Sequence, residues 1–367
     1  MQKLSSLILI GVLAVILCLP PAAQACTGIA FTAEDGTRIL ARTIEWKGGN
    51  LNSKLIIMPR GMKNTALTPQ GENGHVWYNK YGAVGASTVE PRFVTEGVNE
   101  KGLNVGIFYF SHYGSLTPYE TKKAKKSVSD GELVRYMLTN FATVDEVLKG
   151  IEKIEIIPIG KPDASGHYAT GHWRISDASG RSVVLEITDQ GQRHVYENNL
   201  EVFTNSPSFP WHQDNLNNYI HLSGGQTPDK TMGKVSLFSF GGGTNLTGLP
   251  GDLTPPSRLV RAFFYVHTAP QPADTYAAIT QAFHILNNFD LPIGAEYAPG
   301  QTIPDMPSAT QWAAVSDVTH PAFYYRTMYN SAIRKVDLSK INFDTVPYTV
   351  ADMDEQPVEV FHERTFQ

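Results

Sequence analysis

The chain has 367 residues, 42% of them hydrophobic and 18% charged, with a formal net charge of −5 and two cysteines. That composition excludes a disordered chain, a collagen-like repeat and a disulfide-stapled miniprotein. The slight acidic excess, with Lys and Arg scattered apart from Lys122-Lys123-Ala124-Lys125-Lys126, excludes the basic footprint that nucleic acid requires.

The first predicted element is a leader. Lys3 supplies a positive start, Leu7 to Leu19 form an apolar run, Pro20 and Pro21 break it, and Ala23-Gln24-Ala25 fits the small-x-small pattern before a cleavage point. The run is shorter than the roughly 20 residues that span a bilayer. Residues 1–25 are therefore read as a Sec-type signal peptide and residues 26–367 as one mature domain, secreted or periplasmic, with no stable membrane insertion after cleavage. Cleavage after Ala25 discards Cys18 and leaves Cys26 as residue one of the mature chain.

A lone cysteine in an exported protein has no internal disulfide partner. Three readings of Cys26 stand side by side. It is an N-terminal nucleophile with a free α-amino group, the acylated anchor of a lipoprotein-type binding protein, or a packed residue at the start of a strand. Ala23 and Gln24 fit a lipobox poorly, and a lipoprotein begins with a polar tether.

Here β-prone sequence begins at the cysteine. Cys26 to Thr32, the turn Glu34-Asp35-Gly36-Thr37 and Arg38 to Ile44 read as a hairpin that returns Arg42 to Glu45 beside Cys26. Strand-like runs fall at 27–60, 76–110, 171–204 and 310–345, with Asp177-Ala178-Ser179-Gly180 as a hairpin turn. Helical patterns fall near 130–152, 255–268 and 272–288. Strands grouped apart from helices predict layered α+β, not alternating βαβ. Pro255-Pro256-Ser257 opens the second helix and puts Arg258 in its first turn, where a cation opposes the helix dipole; this hints at a task outside the helix. His167 and His172 show no metal-ligand spacing, Gly241-Gly242-Gly243 lacks the residues of a phosphate loop, and no metal or cofactor is expected.

Several segments together resemble the choloylglycine hydrolase and penicillin V acylase family of N-terminal nucleophile (Ntn) hydrolases. They are Cys26-Thr27-Gly28, Ala41 to Trp46, Pro59-Arg60-Gly61-Met62, Gly97 to Leu103, Thr204-Asn205-Ser206-Pro207, Gly248 to Asp252 with Ser257-Arg258, Thr310-Gln311-Trp312 and Phe323 to Thr327. Pro59-Arg60-Gly61 and the exported form place the likeness nearer the Gram-negative branch. The resemblance implies a four-layer αββα sandwich with two antiparallel sheets, hydrolysis of a linear amide C–N bond and a homotetramer.

The resemblance also implies roles for individual residues. Cys26 is the nucleophile, with Arg42 beside its sulfur. Asn205 and the backbone N–H of Tyr109 are oxyanion donors, and Arg258 belongs to the catalytic centre. Glu45 stands where the family usually has aspartate against the α-amino group, one methylene longer. Trp46 is read as lining the substrate site. Tyrosine at 109 points to penicillin V acylase-like or N-acyl homoserine lactone substrates over conjugated bile salts.

Overall fold

The computed structural model describes residues 24–160, 162, 168 and 170–366. The leader, including Lys3 and the run Leu7 to Leu19, lies outside the described residues, as does His167.

The N-terminal hairpin forms as expected. Strand β1 (Gln24–Thr32) pairs antiparallel with β2 (Arg38–Trp46), closed by a turn in which Gly36 takes φ 87°. The register sets Cys26 against Ile44, Gly28 against Arg42 and Ala25 against Glu45. Because side chains alternate along a strand, Cys26, Leu40, Arg42 and Ile44 share one face, while Thr27, Ile29, Ala41, Thr43 and Glu45 share the other.

Both faces are covered, which is why β2 is buried along nearly its whole length. One large antiparallel sheet continues with β3 (Lys54–Met58), β4 (Ala83–Ser87), β5 (Val94–Asn99), β6 (Asn104–Tyr109), β7 (Gly171–Ser176), β8 (Ser182–Thr188) and β9 (Gln192–Glu197). The other takes β10 (Val202–Phe203), β11 (Thr310–Asp317), β12 (Ala322–Thr327) and β13 (Arg334–Asp337), and β14 (Thr349–Asp352) returns to the first. Their orders are β9-β8-β7-β6-β5-β4-β3-β14 and β10-β1-β2-β11-β12-β13.

Helices α1 (Leu133–Asn140) and α2 (Val144–Ile151) pack on the eight-stranded sheet, burying Leu133, Met137, Val147 and Ile151 against Ile56, Val105 and Trp173. After the short helix α3 (Phe209–Leu216), α4 (Pro255–Thr268) and α5 (Thr275–Leu286) cover the six-stranded sheet through Leu259, Ala262, Ile279 and Phe283. Between the sheets lie Cys26, Ala30, Leu40, Val98, Phe108, Phe203 and Trp312. The result is α+β with helices outside two antiparallel sheets, the αββα order that the resemblance implies.

Local chemistry accounts for several departures from the sequence reading. The helical pattern at 130–152 splits: the first helix ends at Asn140, with Phe141 extended at its C-cap, and Thr143 caps the next, its hydroxyl accepting from the Glu146 N–H at 3.2 Å. At the end of the strand-like run 171–204, the strand Val202–Phe203 is only two residues long. The hairpin Lys63–Thr68 with Gly71–Tyr78 and the helix α3 fall largely outside the predicted runs. The lysine cluster is no free loop: Thr121–Lys126 is a 3₁₀ turn, and Lys122 and Lys123 both pair with Glu120.

Candidate active site

Where β1 begins, the two sheets and the helix layer bring six separated stretches of chain together. Cys26 is 5% exposed and lies in the inter-sheet layer. Its backbone N–H donates to Asn205 Oδ1 at 2.7 Å. Asn205 follows β10, and its Nδ2 donates to the Tyr109 carbonyl at 3.0 Å, so Cys26 and the end of β6 meet through one amide side chain.

Arg258 reaches the same point from the helix layer. Its Nη1 donates to the Cys26 carbonyl and to Thr27 Oγ1, both at 2.7 Å, Nη2 donates to Asn205 Oδ1 at 3.0 Å, and Nε donates to Leu253 O at 3.0 Å. The side chain is fully buried. An exposed arginine at a helix start, which the helix pattern alone favours, is therefore ruled out; the unfavourable place in the helix dipole is offset by these charge-assisted bonds.

Arg42 approaches Cys26 from between the sheets. Its guanidinium lies 4.0 Å over the Phe108 ring, Nη1 donates to Ile107 O at 2.7 Å, and Nε donates to Thr43 O at 3.2 Å. Nη1 also lies 3.5 Å from Glu96 Oε2, while Glu96 Oε1 meets Arg174 Nη2 at 3.2 Å and accepts from Asn104 Nδ2 at 2.7 Å. All three charged side chains are buried. Two glycines make room for this triad. A Cβ at Gly106 would lie 2.0 Å from Glu96 Oε2, and one at Gly28 would lie 2.8 Å from Arg174 Nη1.

Sequence reasoning missed Glu96 and Arg174. The available signal was a charged residue at an inward position of a β-prone run, Glu96 directly before Gly97-Val98-Asn99 and Arg174 between Trp173 and Ile175. Two arginines against one carboxylate leave a net positive charge between the sheets. Arg42 Nη2 has no hydrogen-bond partner among the described residues.

These charges compete with burial at the sulfur. Burial pushes the Cys26 thiol above its ordinary value and Arg42 pulls it back; Glu45 adds to the rise, while Arg258 and Asn205 oppose it.

Glu45 sits on the opposite face of β2 from Arg42. It is buried, Thr310 Oγ1 lies 3.5 Å from its Oε1, and its Oε2 has no hydrogen-bond partner among the described residues. Burial pushes its carboxyl up to about 8, with Arg258, Thr43 and Arg42 opposing and Glu296 reinforcing the rise. Its cross-strand partner is Ala25, so a chain starting at Cys26 would end one step along the ladder.

A raised carboxyl makes the folded state bind more protons than the unfolded chain between the two values. With the leader attached, the contribution of Glu45 to stability is therefore expected to be fullest below pH 4.5 and to fall as pH rises to about 8, by at most about 5 kcal/mol. Urea unfolding of the leader-bearing chain and of its Glu45→Gln variant at pH 5 and pH 8 isolates that contribution, and the drop should be smaller in the variant. An equal drop in the variant would assign the titration elsewhere.

Trp46 ends β2 with its side chain half-buried against the cluster that contains Cys26, and its carbonyl accepts from Gln311 Nε2 at 3.1 Å. All seven residues singled out from the sequence thus lie at one end of the sandwich. Among the described residues no group of three or more His, Cys, Asp or Glu side chains is placed to hold a metal ion, and no helix is long and apolar enough to cross a membrane. A buried cysteine flanked by two fixed guanidiniums and a side-chain amide is an arrangement able to stabilise a thiolate and an oxyanion.

Known proteins are similar to this chain in sequence and in fold. It is 32% identical to the bile salt hydrolase/transferase of Clostridium perfringens over 321 residues, covering 87% of this chain and 94% of that protein. It is 31% identical to the penicillin V acylase of Pectobacterium atrosepticum over 339 residues, covering 87% and 82%. The crystal structure of a cysteine-to-alanine mutant of conjugated bile acid hydrolase from Clostridium perfringens superposes with a TM-score of 0.78 at 30% identity, covering 93% of this chain and 100% of that one. The family of linear amide C–N hydrolases, choloylglycine hydrolase family, matches residues 26–351. The chain belongs to that family and is a hydrolase acting on linear amide C–N bonds.

Proposed function

We propose that this protein is an exported cysteine Ntn amidohydrolase, activated by cleavage after Ala25, with a penicillin V acylase-like preference extending to N-acyl homoserine lactones. The observation that carries the reading is the convergence of Asn205 and Arg258 on the backbone of Cys26, each at 2.7 Å, with Arg258 also donating to Asn205 Oδ1 at 3.0 Å. Once Ala25 is removed, the nitrogen that now donates to Asn205 becomes an α-amine, whose reference pKa of about 8 lies close to that of a thiol.

The amine takes the thiol proton, directly or through water, and the sulfur attacks the substrate carbonyl to form a C–S bond. Asn205 and the Tyr109 backbone N–H stabilise the oxyanion, and Arg42 and Arg258 supply positive charge. The C–N bond breaks as the ammonium returns the proton to the leaving amine. Water, deprotonated by the same amine, then hydrolyses the acyl-thioester and frees the acid. Glu45 would hold the ammonium, and Trp46 would border the acyl group.

Tyr109 favours penicillin V or an acyl homoserine lactone; the relatives named for bile salts favour the alternative, conjugated bile salt hydrolase. Amine release from penicillin V, glycocholate, taurocholate and an N-acyl homoserine lactone by the chain beginning at Cys26 decides between them. Preference for either cholate would replace the proposed specificity, and release from none would remove the enzyme's proposed substrate class.

The reading of another class, a binding protein anchored through acylated Cys26, conflicts with a thiol buried between two sheets. Mass spectrometry of the mature N-terminus tests it: an unmodified Cys26 is expected, and a diacylglyceryl mass would sink the amidohydrolase mechanism. The homotetramer implied by family likeness belongs to the same proposal. Met232, Val235, Phe238 and Phe240, exposed on the arm that projects around residues 230–240, offer apolar surface for assembly.

A further inference from the structure

Two buried histidines grip the chain on either side of Asn205. His172, on β7, places Nε2 2.9 Å from the Thr204 carbonyl oxygen and Nδ1 3.2 Å from Glu186 Oε1. Its ring lies between Phe110 and Phe203, each with a centroid 4.3 Å away. His212, on α3, places Nε2 2.9 Å from the Asn205 carbonyl oxygen. Both rings are fully buried.

The hydrogen-bond inventory assigns the protons. A carbonyl oxygen only accepts, so each Nε2 carries hydrogen. His212 Nδ1 has no partner among the described residues, and burial drives this ring down to about 4, so it is a neutral Nε2–H donor. At His172 the second nitrogen faces a carboxylate, the arrangement of a charge-assisted pair.

The two grips act on one residue. The Thr204 carbonyl belongs to the peptide plane before the Asn205 Cα, and the Asn205 carbonyl belongs to the plane after it. A residue has two soft backbone dihedrals, and pinning both planes fixes them. That sets the Cα–Cβ direction from which the Asn205 side chain reaches Cys26 and Tyr109. Glu186 Oε1 also accepts from the Phe209 N–H at 2.7 Å, the first residue of the helix that carries His212. One buried carboxylate thus anchors both grips.

We propose that His172 and His212, anchored together by Glu186, are positioning residues for amide hydrolysis: they set the backbone of Asn205 so that its side-chain amide meets the oxyanion. This rests on the reading of Asn205 as oxyanion donor. None of the three touches the substrate, and their effect passes through Asn205 alone.

The test compares His212→Leu, His212→Gln and Asn205→Ala, each in the chain beginning at Cys26, on the fastest-cleaved amide of the panel above. Glutamine presents an N–H near the place of Nε2, whereas leucine presents none. His212→Leu is expected to lower kcat by about 10- to 100-fold with KM within about threefold, and His212→Gln to recover most of the loss. Alkylation of Cys26 by iodoacetamide passes through no oxyanion, so its rate should stay within about twofold of the parent in both variants.

A leucine variant with parental kcat, a glutamine variant no better than leucine, or alkylation that falls in step with turnover would each overturn the proposal. If His212→Leu does not fold, Glu186→Gln replaces it, since glutamine keeps the acceptor oxygen and loses the charge. It should lower kcat by roughly 3- to 10-fold at unchanged KM, and parental kcat there would overturn the joint anchor. Full turnover in Asn205→Ala would overturn the oxyanion reading itself. Lost turnover in Asn205→Ala beside parental His212→Leu would leave that reading standing and remove only the positioning role.

Discussion

Cys26→Ala, in the chain that begins at residue 26, is expected to lower amide turnover by at least about 10⁴-fold, to the level of the uncatalysed reaction. Among the described residues at this site, the thiol is the side chain that makes the strongest nucleophile near neutral pH. Arg42, Arg258 and Asn205 are placed to stabilise charge, and none of them is a nucleophile at neutral pH.

The fold should survive the change. Cys26 contributes one small side chain to an inter-sheet layer that also holds Phe108, Phe203 and Trp312, so the loss is on the order of 1 kcal/mol. Thermal unfolding checks this, and turnover by a folded Cys26→Ala chain would disprove covalent catalysis through this residue. Alanine is more informative than serine here because it leaves no hydroxyl to act as a weaker nucleophile.

A chain that keeps Gln24 and Ala25 is expected to be about 10²- to 10⁴-fold slower than one starting at Cys26. In the leader-bearing form the Cys26 nitrogen is a peptide N–H that donates to Asn205, and an amide nitrogen cannot accept the thiol proton. The two preceding residues also extend β1 against Glu45 and Trp46, occupying the end of the ladder where the α-amino group would stand. Burial then acts on the thiol without a base beside it, and the thiol is held above its ordinary value.

The measurement is turnover before and after removal of the leader from one preparation, with iodoacetamide alkylation of Cys26 followed in parallel. Both rates should rise on cleavage. Equal turnover in the two forms would mean that the α-amine is not the base.

Different parts of the site were legible to different degrees. The hairpin was readable because closure over a short turn is local: Cys26 and Arg42 are sixteen residues apart, and β alternation puts them on one face. Arg258 was readable as an anomaly, a cation where the helix dipole disfavours one. The hairpin placed Glu45 near Cys26, yet its face was not foreseen. The same alternation that aligns Arg42 with the thiol turns Glu45 toward the helix layer, where burial raises its carboxyl.

Glu96, Arg174, His172, Glu186 and His212 were the least legible, because each acts through residues far along the chain. Glu96 meets Arg42 across 54 positions, and His172 meets Thr204 across 32. Such contacts leave no periodic trace; an inward charge on a strand shows only that some partner exists, not which one.

Local sequence sufficed for a strand that carries the cysteine, for a tight turn that returns Arg42 to it, and for a proline-opened helix that starts three residues before Arg258. All three follow from dihedral preference and side-chain period over fewer than twenty residues. The stacking of the two sheets with Arg42, Glu96 and Arg174 between them, and the hold of two imidazoles on the carbonyls of Thr204 and Asn205, arise only at the tertiary level. Those arrangements depend on which strands become neighbours and which faces are sealed from water, and burial is what makes each charge and each N–H there require a specific partner.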